Sequence, residues 1–342
     1  MKPLVSILIP AYNAERWLSD TLRSAVAQTW DWKEIIVVND GSKDRTEEIA
    51  RCFESSGVTV YTQKNQGAAA TRNKAFSLCK GDYIQWLDAD DLLAPDKISK
   101  QVQVAEEKQN KRLLISGEWA RFMYRPRQAK FVPTGLWCDL SPAEWLTRKL
   151  EQNVYMQTAT WLVSRKLTEA AGPWDTRLLG DDDGEYFCRV LMASNGVRFV
   201  PGAKVYYRDA GSTSLSYRGA SDRQLEAQWL SMEMHIRYLR THDDSGRARE
   251  ACVRYLQDWS VNFYPQRIDL FNQAEAMAQE LGGRVPIPRL SWKYSWIKTL
   301  FGWRLARRAQ MNLQRLRWSL VRYWDKMCYN IEGQKGALDS GV

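Results

Sequence analysis

Three carboxylates fall within four residues at Asp88-Ala89-Asp90-Asp91, directly after the apolar run Tyr83-Ile84-Gln85-Trp86-Leu87. Carboxylates this close repel one another, and a hard divalent cation that takes oxygen ligands relieves the repulsion while also binding phosphate oxygens. Asp is common at strand ends and helix N-caps, so the triplet alone also reads as an acidic turn ahead of a helix starting near Pro95.

Three further polar clusters stand at the ends of short apolar runs. Val5-Ser6-Ile7-Leu8-Ile9 leads into Pro10-Ala11-Tyr12-Asn13, and Glu34-Ile35-Ile36-Val37-Val38 leads into Asn39-Asp40-Gly41-Ser42-Lys43-Asp44. A run over residues 58–62 leads into Gln63-Lys64-Asn65-Gln66-Gly67, ahead of Arg72-Asn73. Continuous apolar runs bounded by turn residues read as strands buried on both faces. Between them, Trp17, Leu18, Leu22, Ala25 and Val26 take helical spacing over residues 15–28, and Asp44-Arg45-Thr46-Glu47 has the acidic first turn of another helix. Alternating strands and helices predict a parallel sheet with right-handed crossovers, and such sheets bind ligands at the carboxyl ends of their strands. All four clusters are then expected at one crevice. No Gly-x-Gly-x-x-Gly follows the first strand and no Gly-Lys-Ser/Thr loop occurs, which sets aside dinucleotide and P-loop alternatives.

Taken in order, Ile9-Pro10-Ala11-Tyr12-Asn13, Val38 to Asp44, Asn65-Gln66-Gly67 with Thr71-Arg72-Asn73, and Asp88-Ala89-Asp90-Asp91 make the chain resemble the family 2 glycosyltransferases, whose nucleotide-diphosphate-sugar-binding fold is called GT-A. The resemblance is sharpest over roughly the first hundred residues and continues to about residue 216. It implies an α/β fold with a Rossmann-like, mostly parallel sheet flanked by helices, and a nucleotide-sugar donor, expected to be a UDP-sugar. Residue by residue, it implies that Asp40 accepts the uracil imide N–H and that Pro10, Ala11 and Tyr12 line the base and ribose. Asn13, Asn65, Gly67 and Ala89 complete the donor site, with Arg72 near the diphosphate and Asp88 at the ribose or the metal shell. Asp90 is the residue expected in direct contact with Mn²⁺ or Mg²⁺. Read locally, Asp40 also fits a turn residue bonding nearby amides, and Arg72 a helix surface charge.

The segment Leu178-Leu179-Gly180-Asp181-Asp182-Asp183-Gly184-Glu185-Tyr186-Phe187-Cys188-Arg189 resembles the family's acidic acceptor-side motif. Registered on Arg189, the resemblance implies Asp183 as the catalytic base and Asp182 as its acidic neighbour, with a slip of one position left open by the neighbouring carboxylates. The same residues suit the start of a helix over residues 184–194. Residues 156–163 read as a strand, followed by the turn Ala171-Gly172-Pro173-Trp174-Asp175. Aromatic faces stack on sugar rings, so Trp161 and Trp174 are candidate acceptor residues, core packing being the alternative in a chain with 16 Trp. Residues 206–216 resemble the family's closing segment. Where many relatives carry a His there, this chain has Asp209 or a hydroxyl, so diphosphate oxygens and water are expected to complete the metal shell.

The net charge of +9 resides in the tail, because residues 284–342 hold 12 Lys/Arg against 3 Asp/Glu. Leu305, Ala309, Leu313, Leu316, Leu320 and Trp324 follow helical spacing there, with Arg304, Arg308, Arg315, Arg322 and Lys326 on other faces and Trp292, Trp296, Trp303 and Trp318 adding bulk. Such a helix suits an anionic membrane surface, or packs its apolar face on the core. No nucleic-acid-binding signature accompanies the charge. No apolar run reaches bilayer length and the first residues read as a strand rather than a signal peptide. Six scattered cysteines without Cys-x-x-Cys pairs fit a reducing cytoplasm.

The expected organisation is a GT-A domain over residues 1–218 and a C-terminal helical extension over 219–342. Trp229, Met232, His235/Ile236 and Leu239 form a helical stripe in the extension, and Gly282-Gly283 with Pro286-Ile287-Pro288 makes a hinge before the basic tail, about 289–330. The expected activity is inverting, metal-dependent sugar transfer to a glycan or lipid-linked glycan, in the cytoplasm or peripherally on the inner membrane face. A sugar nucleotidylyltransferase fits less well, since its Gly-rich Arg-containing loop is replaced by Pro10-Ala11-Tyr12-Asn13. A non-catalytic sugar-nucleotide-binding or membrane-scaffold protein is the remaining alternative.

Overall fold

The first apolar runs become strands because water reaches neither of their faces: Val5, Ser6, Ile7, Leu8 and Ile9 are all fully buried, as are Val37 and Val38. A computed structural model describes residues 2–108, 110–211, 221–288 and 292–339. Its first half runs β1 (Val5–Ala11), α1 (Leu18–Val26), β2 (Lys33–Asn39), α2 (Thr46–Arg51), β3 (Val58–Thr62), α3 (Ala68–Leu78), β4 (Tyr83–Trp86), β5 (Leu92–Leu93) and α4 (Lys97–Lys108). Then come β6 (Leu113–Phe122), α5 (Pro142–Gln152), β7 (Val163–Ser164), α6 (Arg165–Ala171), α7 (Asp182–Ala193) and β8 (Gly196–Arg208).

The main sheet has the order β3-β2-β1-β4-β7. β1 pairs in parallel with both β2 and β4, and β3 in parallel with β2, so the ends of these four strands open on the same edge as expected. Only β7 runs antiparallel, against β4. A second sheet, β5-β8-β6, pairs β6 and β8 in parallel with a register shift after Gly117. Gly117 has to lack a side chain, since a Cβ there would collide with the Ala203 carbonyl of the bulged strand.

The expected strand over residues 156–163 does not form. Thr158–Thr160 is a 3₁₀ turn and only Val163–Ser164 joins the sheet. The cause is local: the Gln157 side chain accepts from the Ala159 amide, and Thr160 Oγ1 donates to the Gln157 carbonyl at 2.6 Å. Side-chain bonds of this kind offer the backbone an alternative to a ladder.

Four more helices follow: α8 (Asp222–His242), α9 (Gly246–Ser260), α10 (Ile268–Glu280) and α11 (Ser295–Asp339), the last interrupted at Gly302 where φ is +81°. α8 starts in a capping box between Ser221 and Gln224. Its expected stripe is buried, including His235, which sits against the Tyr255 hydroxyl at 3.1 Å. The expected boundary near residue 218 falls among residues 212–220, outside the described residues. The core does not divide there: one apolar cluster runs from Leu8, Trp86, Trp161 and Tyr186 to Trp229, Leu239, Leu256 and Phe271.

The tail is helical, and it both packs and stays exposed. Asp325 accepts from the Tyr124 amide at 2.9 Å and pairs with Arg125 at 2.7 Å, while Arg322 pairs with Asp209 at 2.6 Å. Of the expected apolar stripe, Leu305, Leu320 and Trp324 are exposed and Ala309 is half-buried; the side chains of Leu313 and Leu316 lie outside the described residues. No helix among the described residues is long and apolar enough to cross a membrane.

A continuous core makes the extension part of one folding unit. Leu239→Ala, which empties a fully buried site, should lower stability by about 2–5 kcal/mol and shift a single calorimetric transition. Two transitions, only one of them shifted, would show that the helices fold separately.

Candidate active site

The polar strand ends are tied to one another before any ligand enters. Asn13 Oδ1 accepts from the Lys43 amide at 2.9 Å and the Asn13 amide donates to Ser42 Oγ at 3.0 Å, which joins the loop after β1 to the loop after β2. Asn65 Nδ2 donates to the Asp40 carbonyl at 3.0 Å, which joins β2 to the loop after β3. Pro10, Ala11 and Tyr12 lie at the end of β1, and the Tyr12 ring is 42% exposed and free to be covered by a flat ligand. Asp40 itself is buried. Its carboxylate accepts from Gln63 Nε2 at 2.8 Å, the Gln66 amide at 2.9 Å and the Gly67 amide at 2.8 Å. These are the amide bonds expected of a turn residue, but made across to the next loop. Gly67, at φ +90°, turns that loop back over Asp40 and into α3.

Arg72 joins the two acidic motifs. It lies one turn into α3, almost fully buried, with Nη2 on Asp88 at 2.8 Å and Nη1 on Asp182 at 2.7 Å. Its guanidinium rests on the Trp174 ring at 4.4 Å, and Trp174 in turn stacks on Tyr186 at 4.0 Å. The surface-charge reading of Arg72 is thereby excluded. With both terminal nitrogens on carboxylates, Arg72 here bridges the acidic motifs.

The acidic run divides its carboxylates among three partners. Asp181, at φ +54°, turns away and accepts from Ser231 Oγ on α8. Asp182 takes Arg72. Asp183, at the start of α7, accepts from Thr158 Oγ1 at 3.2 Å. Burial and the Asp181 charge hold the Asp183 carboxyl above its ordinary range, with Arg72 pulling the other way. Glu185 and Arg189 pair at 2.7 Å along α7, so the Arg that set the register is an anchor of the helix.

At the other motif, Asp91 is fully buried and committed, accepting from the Arg208 amide at 2.8 Å and from Gln157 Nε2. Asp90 differs. Its carboxylate takes no hydrogen bond from another described residue, and burial and the Asp88 charge push it up to about 7. An unpartnered, partly buried carboxylate beside a second one fits a divalent cation, with Asp90 and the free oxygen of Asp88 as ligands. No group of three His, Cys, Asp or Glu that could hold a metal occurs among the described residues, so phosphate oxygens and water would have to complete the shell of an ion at these two carboxylates. Ala89 stands between these two ligands. Asp209, expected in place of a histidine, is occupied by Arg322, and His242 is exposed far along α8.

Two expected acceptor residues are corrected. Trp161 is 1% exposed and lies between Trp145 and Phe187, and Trp174 is 2% exposed beneath Arg72. Neither offers a face to a sugar. Sequence reasoning passed over Gln157, Thr158 and Arg208, which hold Asp91, Asp183 and the Asp90 carbonyl. The first two were absorbed in the misread strand, and no spacing marks Arg208.

The unpaired state of Asp90 sets an expectation for stability. Without metal, Asp90→Asn should melt no lower than wild type, because it removes a charge that repels Asp88. With UDP present throughout, Mn²⁺ at a hundred times its dissociation constant should add about 2.7 kcal/mol to the wild type and nothing comparable to Asp90→Asn in calorimetry. Equal gains would remove Asp90 from the metal site.

Residues 6–138 match the family profile described as Glycosyl transferase family 2. An uncharacterised glycosyltransferase of Rickettsia typhi is 41% identical over 113 residues, which is 33% of this chain and 35% of that protein. TuaG of Bacillus subtilis, whose name assigns it to teichuronic acid biosynthesis, is 39% identical over 31% of this chain and 44% of its own length. The match thus spans less than half of each of these two relatives. EpsJ of the same bacterium, an uncharacterised glycosyltransferase, is 27% identical over 67% of this chain and 68% of its own. Among solved structures, S. aureus TarS in complex with UDP-GlcNAc superposes with a TM-score of 0.59 at 16% identity, covering 84% of this chain and 95% of that one. The mannosyltransferase PcManGT from Pyrobaculum calidifontis, in complex with GDP-Man and Mn²⁺, gives 0.52 at 16% identity, covering 97% and 87%. At such identities the likeness is one of fold. Residues 6–138 thus carry the sequence profile of glycosyltransferase family 2, and the mixed α/β fold is that of the GT-A transferases.

Proposed function

We propose that the chain transfers a sugar, with inversion, from a nucleotide-diphosphate sugar to a hydroxyl of a glycan or lipid-linked glycan in cell-surface polysaccharide synthesis. The observation that carries this reading is the Arg72 bridge, which brings the donor-side Asp88 and the acceptor-side Asp182 onto one guanidinium. The names of TuaG and TarS's bound UDP-GlcNAc support a cell-surface product and a UDP-sugar donor.

In this reading Tyr12, Pro10, Ala11 and Asn13 line the base and ribose, with Asp40, Asn65 and Gly67 shaping the wall opposite. Mn²⁺ or Mg²⁺ held by Asp90 and Asp88 supplies charge stabilisation for the diphosphate when bound. Asp183 removes the proton from the acceptor hydroxyl as it attacks the anomeric carbon. Asp182 is held by Arg72 and fixes the geometry, and the Thr158 hydroxyl orients the Asp183 carboxylate. A nucleotidylyltransferase needs no base placed this way, and a sugar-nucleotide-binding protein needs no acceptor-side motif.

Asp183→Asn should retain UDP affinity by calorimetry and lower transfer by at least about a hundredfold, as loss of a general base does. A panel of nucleotide sugars, followed by release of nucleoside diphosphate, supplies the assay. If Asp182→Asn alone has that phenotype, the base lies one position earlier. Because the Asp183 carboxyl keeps its proton to higher pH than an ordinary carboxyl, activity should fall with acidity from a point above the usual value of about 4.

The exposed Trp318 and Trp324, on a tail that holds the chain's excess positive charge, support reversible docking on an anionic membrane from the cytoplasmic side. Each basic residue near such a surface adds about 1 kcal/mol. The protein should co-sediment with anionic but not neutral vesicles, release in high salt, and bind several-fold more weakly as Trp318→Ser with Trp324→Ser. Equal indifference to both vesicle types would leave the tail a packing element.

A further inference from the structure

The β6–β8 pair carries an aromatic cluster that the donor site does not use. Arg121 and Tyr207 are register partners, so both point to the same side of the sheet, as does Trp119 two residues earlier. The Arg121 guanidinium lies 6.0 Å from the Trp119 ring centre, 5.9 Å from Tyr155 and 5.7 Å from Tyr207, and it donates to the Tyr155 hydroxyl. Trp119 packs on Tyr155 at 5.0 Å with the planes tilted by 37°, and edge-on against Tyr207 at 6.0 Å. Unlike Trp161 and Trp174, the cluster reaches solvent: Tyr155 is 39% exposed, and Arg121 is exposed too. Arg121 forms no ion pair among the described residues.

Two members of the cluster are chain neighbours of residues that hold the acidic motifs. Tyr155 stands three residues before Thr158, the residue that holds Asp183, so their Cα atoms are at most about 10 Å apart. Tyr207 precedes Arg208, whose amide holds Asp91 and whose side chain holds the Asp90 carbonyl. A ligand lying on the cluster therefore rests on the same strand and loop that carry the residues holding Asp91 and Asp183.

We propose that Arg121, Trp119, Tyr155 and Tyr207 form the acceptor subsite, for a sugar ring that bears an anionic group, either a carboxylate or a phosphate. The inference rests on the transferase reading above. Aromatic faces accept the C–H face of a pyranose, and the planar guanidinium fork matches a carboxylate or phosphate with two parallel hydrogen bonds. Seating the ligand exchanges the Tyr155 hydroxyl for a charged acceptor, while the rings keep Arg121 in place.

The test uses the full chain, isotope-labelled, with three probes: methyl β-glucuronide, glucose 1-phosphate and methyl β-glucoside. The Trp119 indole resonance, identified as the one missing in Trp119→Phe, reports binding. The two anionic probes, or one of them, should bind at least about tenfold more tightly than the neutral glucoside, and Arg121→Gln should abolish that preference. Arg121→Lys, which keeps the charge but not the fork, should retain part of it. Preference for the glucuronide would identify a uronate acceptor, and preference for the phosphate a phosphate-bearing one. UDP affinity should be unchanged in both Arg121 variants, which shows that they are folded. Equal binding of all three probes, or a preference that survives Arg121→Gln, would overturn the proposal and leave the cluster a packing element. Failure of the wild type to bind UDP or to split any nucleotide sugar would instead overturn the transferase reading, whatever the probes do.

Discussion

Arg72 leaves water to lie on the Trp174 indole with one nitrogen on Asp88 and another on Asp182, and the geometry of the crevice depends on that placement. A buried cation is tolerated only when paired, so the two carboxylates are kept at a fixed separation. Removing either partner strands part of a buried charge; breaking such pairs costs about 3–5 kcal/mol. The cation also moderates repulsion among carboxylates that no other described basic residue reaches. Asp90 takes no hydrogen bond from Arg72, and the nearby Arg208 charge offsets its burial only in part.

The second constraint is the turn at Gln157 and Thr158. Its residues hold Asp91 on one side and Asp183 on the other, so the two acidic motifs are spaced by a protein link as well as by an ion pair. A strand in its place would have projected alternate side chains to opposite faces of the sheet. The turn instead directs Gln157 and Thr158 toward the two motifs.

Much of this was legible in the chain. The four polar clusters, their order and their position at strand ends follow from apolar runs and turn residues; the pattern is clearest for β1, β2 and β4, which are buried, whereas β3 at the sheet edge is mostly exposed and not buried on both faces as expected. The stripe of α8 was legible for the same reason. The partners were not. Which of Asp181, Asp182 and Asp183 faces the crevice depends on the left-handed turn at Asp181, and the run of like residues carries no signal for it. Trp161 and Trp174 looked like sugar platforms because composition cannot separate a buried indole from an exposed one. The cluster around Arg121 escaped notice because its members come from β6, β8 and the loop before the 3₁₀ turn, and meet only in the folded sheet.

The bond from Ser231 on α8 to Asp181 reaches beyond packing. It makes a residue of the extension a neighbour of the acidic run at residues 181–183, so the helices and the α/β core share a boundary condition as well as a hydrophobic surface. A grafted C-terminal segment would meet a restriction here. A foreign extension without a hydroxyl at the Ser231 position leaves Asp181 unanchored, and the two carboxylates that follow it lose their aim. The extension therefore meets α7 and its acidic run through Ser231, through the Tyr238 hydroxyl on Glu185 and through the shared core.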